Sequence, residues 1–155
     1  MRAFLLCLLV LASSAVFAQS AEPVAKLKMP KGPFYAGKTI KATLIVTFAE
    51  GLHAYQNPPT SEFQIPLKIS AVKGTTIGKV FYPKGIPMTM GGDPTPAMVY
   101  EGTIEIPVEI KLSKIAGKFV AKLSVDYQQC NESTCFPPSS VAVSAPIVVV
   151  APIKK

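Results

Sequence analysis

Arginine and tryptophan are the residues that this sequence lacks most clearly. One of its 155 residues is arginine, Arg2, and none is tryptophan, so the formal charge of +7 is carried almost entirely by lysine. Arginine is the residue that usually makes bidentate contacts with phosphate groups and base edges. A basic chain of this composition argues against nucleic acid as a partner and indicates a solvated, lysine-rich surface.

Long apolar runs are also missing. A membrane-spanning helix needs ~20 apolar residues, whereas the apolar stretch Ala3–Leu11 has nine and Val141–Ile153 is interrupted by two prolines. Met1–Ala18 combines a positive start, the first of these stretches and small residues at its end, which is typical of a secretory signal peptide. We expect cleavage after Ala18, export of the protein, and no stable membrane insertion of the mature chain.

Charged residues are scarce as well. They make up 16% of the sequence, whereas hydrophobic residues make up 49%, and this balance excludes an intrinsically disordered chain. The length fits one folded domain after the signal peptide. We therefore predict a signal peptide over residues 1–18 and a single domain over residues 19–155.

Helical periodicity does not last for a full window anywhere, but apolar and polar residues alternate in three long segments. These segments are Ile40–Phe48, Ile104–Leu112 and Phe119–Tyr127. An alternation with a period of two buries one face of a β-strand. Four weaker strands are expected at Ala25–Met29, Leu67–Val72, Thr76–Tyr82 and Val141–Val150. The pattern predicts an all-β protein, an immunoglobulin-like antiparallel β-sandwich, in which Pro107 marks an edge strand or a bulge.

The connection Pro83–Met98 is unusually rich in proline, glycine and methionine. It holds four prolines, three glycines and three of the five methionines of the chain. Connections longer than ~12–15 residues without regular structure are commonly lids or binding loops. We expect an irregular loop with a hinge at Gly91 and Gly92, and an ordinary surface loop is the alternative.

Two cysteines, Cys130 and Cys135, remain after removal of the signal peptide. Their C-x4-C spacing follows a strongly alternating strand and brackets a tight turn, in which two cysteines can reach the Cα separation of a disulfide, ~4.4–6.8 Å. The chain-entropy model gives so short a loop about 2 kcal/mol of stabilisation. This small gain favours a bond that opens and closes. A structural hairpin disulfide in a non-catalytic immunoglobulin-like interaction module is the alternative.

The sequence has few residues that could bind a metal ion or catalyse hydrolysis. Two thiolates and His53, the one histidine, do not complete the usual four-ligand zinc site, and a nucleophilic cysteine has no other histidine as its base. Soft ligands that suit Cu(I) are present at His53, Met88, Met90, Met98 and the two cysteine thiols, so a soft-metal carrier is a second alternative. We predict no metal site and no cofactor.

The cysteine segment resembles a known family. The run YQQCNESTCFPPSSVAV, residues 127–143, is similar to the active-site hairpin of the periplasmic N-terminal domain of DsbD-type thiol:disulfide interchange proteins. Gly51–Tyr55 resembles the family's segment near the cysteines, with His53 in place of an aromatic residue. Val99–Ile110 resembles the strand after the family's cap loop, and Pro83–Met98 lies where that cap is expected.

The resemblance implies an immunoglobulin-like sandwich whose two cysteines carry electrons. They accept electrons from a thioredoxin-like donor and pass them to periplasmic thiol–disulfide acceptor proteins. The expected activity is therefore that of a periplasmic protein-disulfide reductase, or thiol–disulfide oxidoreductase. By analogy with the family, Cys135 attacks and links to the partner, and Cys130 resolves the mixed disulfide.

Other residues are expected near the cysteines from their place in the family's motifs or in the cap segment. They are His53, Tyr55, Met88, Met90, Asp93, Tyr127 and Phe136. Methionines stand where the family often has an aromatic cap residue, and Asp93 is a weak match to an acidic cap residue. Glu132 and Asp126 are expected to be solvated carboxylates, and a role in proton transfer is the alternative.

Overall fold

The computed structural model describes residues 21–89 and 95–152. Met90 and Asp93 of the expected cap, and the expected signal peptide, lie outside these residues. Within them we find no helix that is long and apolar enough to cross a membrane. The strands in chain order are β1 (Val24–Lys28), β2 (Phe34–Tyr35), β3 (Thr39–Thr47), β4 (His53–Tyr55), β5 (Lys68–Ala71), β6 (Thr76–Val80), β7 (Ile86–Met88), β8 (Ala97–Glu101), β9 (Thr103–Lys111), β10 (Gly117–Tyr127), β11 (Gln129–Cys130) and β12 (Ser139–Val150).

The described strands form three four-stranded sheets. Two of them have the orders β1-β3-β9-β6 and β2-β12-β10-β5, and the third, built from short strands, has the order β11-β4-β8-β7. Neighbouring strands are antiparallel except for the short parallel pairing of β2 with β12. The all-β, immunoglobulin-like antiparallel sandwich expected from the sequence is therefore confirmed.

The hydrophobic core lies between the first two sheets, where the alternation of the sequence directs the apolar side chains. Ala42, Leu44 and Val46 on β3 are fully buried, as are Leu123 and Val125 on β10. Burial of each such Val or Leu side chain contributes about 1.5–3 kcal/mol relative to an exposed one. All seven strands expected from the sequence are present, as β1, β3, β5, β6, β9, β10 and β12.

Pro107 lies in β9, which has partners on both sides, so the expectation of an edge strand is wrong. The pairing of β9 with β6 is nevertheless irregular. Ile77 pairs with Ile110 and Val80 with Val108, so β6 carries one extra residue in this interval. This arrangement is a β-bulge, the other expectation at this proline. Proline has no N–H for a ladder, and sheets tolerate it beside such irregularities.

The connection Pro83–Met98 is not wholly irregular, which corrects the expectation from the sequence. Its first part contains β7, which forms an antiparallel hairpin with β8, with Ile86 opposite Val99. β7 is an edge strand of the third sheet, where Pro87 is tolerated because its missing N–H is not needed for a second ladder. With three residues, β7 is too short to show an alternation in the sequence.

Hydrogen bonds attach the base of the β7–β8 hairpin to its surroundings. The Tyr100 hydroxyl donates to the Pro83 carbonyl over 2.8 Å and accepts from the Asn57 N–H over 3.2 Å. The Gly85 N–H donates to the side-chain oxygen of Gln56 over 2.9 Å. Gly85 also lies directly against β8, because a Cβ at this position would be 2.7 Å from a backbone oxygen of that strand. The base of the hairpin is therefore held in a defined position.

Candidate functional site

Cys130 and Cys135 face each other across a tight hairpin that begins at the end of β11. They form a disulfide with an S–S distance of 1.93 Å and a Cα separation of 4.0 Å. Backbone hydrogen bonds of 2.8 and 2.9 Å close the hairpin on either side of the pair. The cysteines therefore occupy a non-hydrogen-bonded position of the ladder, where opposite Cα atoms come closest together.

The turn between the cysteines is built around Asn131. Its side-chain oxygen accepts hydrogen bonds from the backbone N–H groups of Ser133 and Thr134 over 3.0 and 2.7 Å. Asparagine favours such turns because its short side chain reaches the backbone of the residues that follow it. The Gln128 side chain donates to the Phe136 carbonyl over 3.1 Å. This bond braces the two arms of the hairpin next to the disulfide.

The two cysteines differ in their exposure to solvent. Cys130 is fully buried, with 0% of its surface exposed, whereas Cys135 is exposed. An incoming thiolate attacks the sulfur of a disulfide that it can reach. In this structure the reachable residue is Cys135.

Strand pairing places His53 beside the buried cysteine. In the third sheet Cys130 pairs with His53 on β4, and His53 pairs with Glu101 on β8. Directly paired residues point to the same face of an antiparallel sheet, and the face alternates along each strand. The next residue, Ala54, is buried in the main core. Cys130, His53 and Glu101 therefore form one row on the opposite face of the third sheet.

Tyr55 lies on the same face as this row, two residues along β4. Its hydroxyl oxygen is 3.9 Å from the Sγ atom of Cys135, a distance suited to the weak hydrogen bonds that sulfur makes. Burial raises the pKa of Tyr55 above its usual value of 10.0, so the hydroxyl is protonated at neutral pH. The structure thus brings Tyr55, expected near the cysteines, to the reachable sulfur.

His53 is buried in the third sheet, with 2% of its surface exposed. Burial lowers the pKa of His53 below its usual value of 6.5, and the negative charge of Glu101 acts more weakly in the opposite direction. The imidazole is therefore neutral at pH 7. The carboxylate of Glu101 lies on the side of His53 that faces away from Cys130.

The remaining expected residues lie at different places relative to the disulfide. Phe136 directly follows Cys135 and is half-buried. Tyr127 packs in the main core, at 5% exposure. Met88 lies on β7, which β8 and β4 separate from β11, a separation of three strand spacings, or about 14 Å in the plane of a sheet.

The two carboxylates expected to be solvated differ from each other. Glu132 is exposed in the turn between the cysteines. Asp126 is half-buried and accepts hydrogen bonds from the hydroxyls of Ser70 and Ser124 over 2.9 and 2.7 Å. The expectation for Asp126 is therefore wrong, because Ser70 on the neighbouring strand β5 and Ser124 on its own strand β10 make it a structural acceptor within its sheet.

The described methionines do not gather into a soft-metal site. Met88 pairs with Ala97 and Met98 pairs with Pro87, so Met88 and Met98 point to opposite faces of the third sheet. Over residues 21–89 and 95–152, no three His, Cys, Asp or Glu side chains form a group that could hold a metal ion. This arrangement gives no support to the alternative of a Cu(I) carrier.

Sequence reasoning did not single out two residues of the site, Glu101 and Gln129. Glu101 ends β8, a strand that the alternation did not predict, and its place beside His53 follows only from strand pairing. Gln129 is 1% exposed, and neither polar atom of its amide has a hydrogen-bond partner. The sequence does contain a signal for this burial. Gln129 follows Val125 and Tyr127 at intervals of two residues, which is the spacing of the buried side chains in β10.

The fold and the site together define an immunoglobulin-like domain that carries a cross-strand disulfide in a hairpin. The model of the family described as thiol:disulfide interchange protein DsbD, N-terminal, matches residues 20–146. The chain therefore belongs to this family. It is a thiol:disulfide interchange domain with a general thiol–disulfide redox role, and its family interacts with thiol–disulfide partners.

Two N-terminal domains are among the solved structures to which this chain is similar. The N-terminal periplasmic domain of ScsB from Proteus mirabilis is 14% identical, with a TM-score of 0.53 over 79% of this chain and 43% of that chain. The chain thus spans less than half the length of that structure. The reduced DsbD N-terminal domain of Neisseria meningitidis is 20% identical, with a TM-score of 0.43 over 69% of this chain and 75% of that chain. A search of curated proteins finds no significant match.

Proposed function

We propose that this protein carries electrons between periplasmic proteins by opening and closing the Cys130–Cys135 disulfide. The observation that carries the proposal is the unequal exposure of a disulfide held in a hairpin: Cys135 is exposed and Cys130 is fully buried. A partner can therefore form a covalent link to one defined sulfur, while the other sulfur stays beside it to resolve that link.

The reduction of the protein follows from this geometry in two steps. A thiolate of a thioredoxin-like donor attacks Cys135 Sγ, the Cys130–Cys135 bond breaks, and Cys130 leaves as a thiolate that takes up a proton. The second thiol of the donor then attacks the mixed disulfide and releases Cys135. Two electrons pass to the protein, and the donor becomes a disulfide.

Delivery of the electrons runs through the same two sulfurs. The thiolate of Cys135 attacks the disulfide of a periplasmic acceptor and displaces one acceptor thiol. Cys130 then attacks Cys135 Sγ, which restores the disulfide and releases the second acceptor thiol. Tyr55 is the described side chain that contacts the reacting sulfur, since its hydroxyl is 3.9 Å from Cys135 Sγ.

The cellular compartment in which this reaction takes place is also part of the proposal. We assign residues 1–18 to a signal peptide and residues 19–155 to a single exported domain, because the first segment has the pattern of a secretory signal. A similar domain, that of ScsB, is described as periplasmic. The partners are accordingly a thioredoxin-like donor and thiol–disulfide acceptor proteins of the same compartment.

Single-cysteine variants test the proposal. Cys130→Ser keeps the exposed sulfur, and Cys135→Ser keeps the buried one. Each reduced variant is mixed with an oxidised thioredoxin-fold protein, and covalent complexes are resolved on non-reducing gels. We expect a reductant-sensitive complex with Cys130→Ser and little or none with its matched control, Cys135→Ser. The absence of a complex with both variants, or a complex with Cys135→Ser alone, contradicts the proposal.

The reduction potential of the wild-type disulfide provides a second test. Structural disulfides of exported proteins lie below about −300 mV, whereas bridges that exchange with partners have higher potentials. We expect a value above that limit, measured by equilibration with glutathione or dithiothreitol buffers. A value well below about −300 mV identifies the bridge as a structural element instead.

A further inference from the structure

The row Cys130, His53 and Glu101 crosses three neighbouring strands of the third sheet. Cys130 on β11 is the register partner of His53 on β4, which is the register partner of Glu101 on β8. Side chains of directly paired residues have Cβ atoms about 4.5–5.5 Å apart and are in contact range. Cys130 and His53 are buried, at 0% and 2% exposure, whereas Glu101 is exposed at the outer end of the row.

Burial of Cys130 creates a chemical requirement for the resolving step. The thiolate is the nucleophile in disulfide exchange, and a free cysteine has a pKa of about 8.5, which apolar surroundings raise further. In the oxidised structure Cys130 has no exposed surface, so a Cys130 thiol that keeps this position in the mixed disulfide is shielded from bulk hydroxide. The proton therefore needs an acceptor within the site.

The geometry points to His53 as the general base that takes the proton of Cys130 when the mixed disulfide is resolved. This inference rests on the proposed function. The neutral imidazole accepts the proton from the Cys130 thiol, and the sulfur attacks Cys135 Sγ. The Cys130–Cys135 bond forms, the bond from Cys135 to the partner sulfur breaks, and the partner leaves as a thiolate. The imidazolium then returns its proton to solvent or to the leaving thiolate.

The charges around His53 suit this role. Burial favours the neutral, proton-accepting imidazole before the reaction, and the carboxylate of Glu101 stabilises the imidazolium afterwards. Among the described residues, Tyr55 on the same strand is a further titratable group near this face, and its hydroxyl is 3.9 Å from Cys135 Sγ. Glu50, before β4, lines a surface depression together with Glu101 and adds a second negative charge on that side.

The resolving step can be observed alone. Ellman's reagent, in excess, places one thionitrobenzoate on the exposed Cys135 of the reduced protein and releases the other, which is coloured. The attack of Cys130 then releases a second coloured equivalent, and the rate of this second phase, which does not depend on the reagent concentration, is followed by stopped flow across a range of pH. The wild-type rate should rise through the pKa of His53 and then level off. His53→Gln should resolve about 100-fold more slowly near neutral pH, the smaller end of the usual effect of a general base. Its rate profile should lack the inflection that His53 gives the wild type.

The Glu101→Gln variant tests the role of His53 while the histidine itself stays in place. The Glu101 charge raises the pKa of His53, so its removal lowers that pKa, and the inflection of the rate profile should move to lower pH. Glu105→Gln is the matched control, because Glu105 is exposed on β9 and pairs with Ile45 in another sheet. Its profile should coincide with that of the wild type.

The outcomes separate this inference from the function on which it rests. A wild-type mixed disulfide that never releases thionitrobenzoate contradicts the proposed function itself. Release from wild-type protein with a superimposable profile for His53→Gln contradicts only the role of His53. If His53→Gln does not fold, an unshifted inflection in Glu101→Gln still overturns the assignment, and a shift to lower pH supports it.

Discussion

Gln129 is a buried polar residue for which the described structure provides no partner. Its amide is 1% exposed, and neither its nitrogen nor its oxygen makes a hydrogen bond. A buried unpaired polar group costs about 1–3 kcal/mol relative to a satisfied one. The residue immediately before the buried cysteine therefore weakens the base of the hairpin that holds the disulfide.

Replacement of Gln129 by methionine, which has a similar length and shape, should stabilise the oxidised protein by about 1 kcal/mol, because it removes the unpaired amide. Gln128→Met is the matched control. It loses the hydrogen bond from Gln128 to the Phe136 carbonyl and should destabilise the protein by about 0.5–1.5 kcal/mol. Urea unfolding measures both changes, and a less stable Gln129→Met variant contradicts the argument.

His53 should make stability depend on pH in a defined direction. Burial lowers its folded-state pKa below 6.5, so below that pH the unfolded state binds a proton more readily than the folded state. The contribution of His53 is therefore lost as the pH falls from about 6.5 through the lowered pKa. The free energy of unfolding of the wild type, minus that of His53→Gln, should decrease from about pH 7.5 to about pH 5.5. A constant difference, or one that increases on acidification, contradicts this expectation.

At the scale of strands, the long strands that bury one face against the core are all predicted from the sequence. β3, β9 and β10 have nine to eleven residues and alternate over most of their length, so the hydrophobic pattern alone indicates them. β4, β7 and β11 have two or three residues, too few for a period to show. Their pairing depends on contacts with distant segments, which a sequence pattern does not contain.

The features of the site that depend on neighbouring residues could likewise be predicted from the sequence, whereas those that depend on distant segments could not. The C-x4-C spacing and its turn are local, and the sequence indicates both the hairpin and the cysteine pair. The neighbour of Cys130 is His53, which lies 77 residues earlier in the chain, and the next neighbour is Glu101. That row follows only from the register of three short strands, so the sequence indicates a disulfide but not the carboxylate beside its histidine.

The β7–β8 hairpin depends on the close approach of Gly85 to β8. A Cβ at this position would lie 2.7 Å from a backbone oxygen and 3.0 Å from a backbone nitrogen of Val99, and backbone atoms cannot move aside as a flexible side chain can. Gly85→Ala should therefore destabilise the protein by about 1–3 kcal/mol, the usual cost of overpacking. Urea unfolding measures this change.

Gly32→Ala serves as the control for Gly85→Ala. The nearest atoms to a Cβ at Gly32 belong to Phe34 and lie 3.7 Å or more away, an ordinary contact distance. Its free energy of unfolding should stay within about 0.5 kcal/mol of the wild type. Equal effects of the two substitutions would show that the approach of Gly85 to β8 does not hold the hairpin.

For the molecule as a whole, neither cysteine of the disulfide belongs to the main core cluster. The core cluster includes Leu44, Val108 and Leu123 from the two sheets of the sandwich, but neither cysteine. Cys130 and Val99 are fully buried outside that cluster. A bond that opens and closes can therefore change state while the sandwich keeps its packing.

Reduction of the wild-type disulfide should accordingly leave the fold intact at a small cost. The bond joins residues five apart in sequence, and loop-closure entropy gives so short a loop about 2 kcal/mol. Leu123→Ala, by contrast, removes a fully buried core side chain and should cost about 2–5 kcal/mol with the disulfide closed. Urea unfolding with and without dithiothreitol measures the first change, and near-ultraviolet circular dichroism reports whether tertiary packing persists. If the reduced protein unfolds, the bridge is a structural staple, and the interaction module with a structural disulfide becomes the better account.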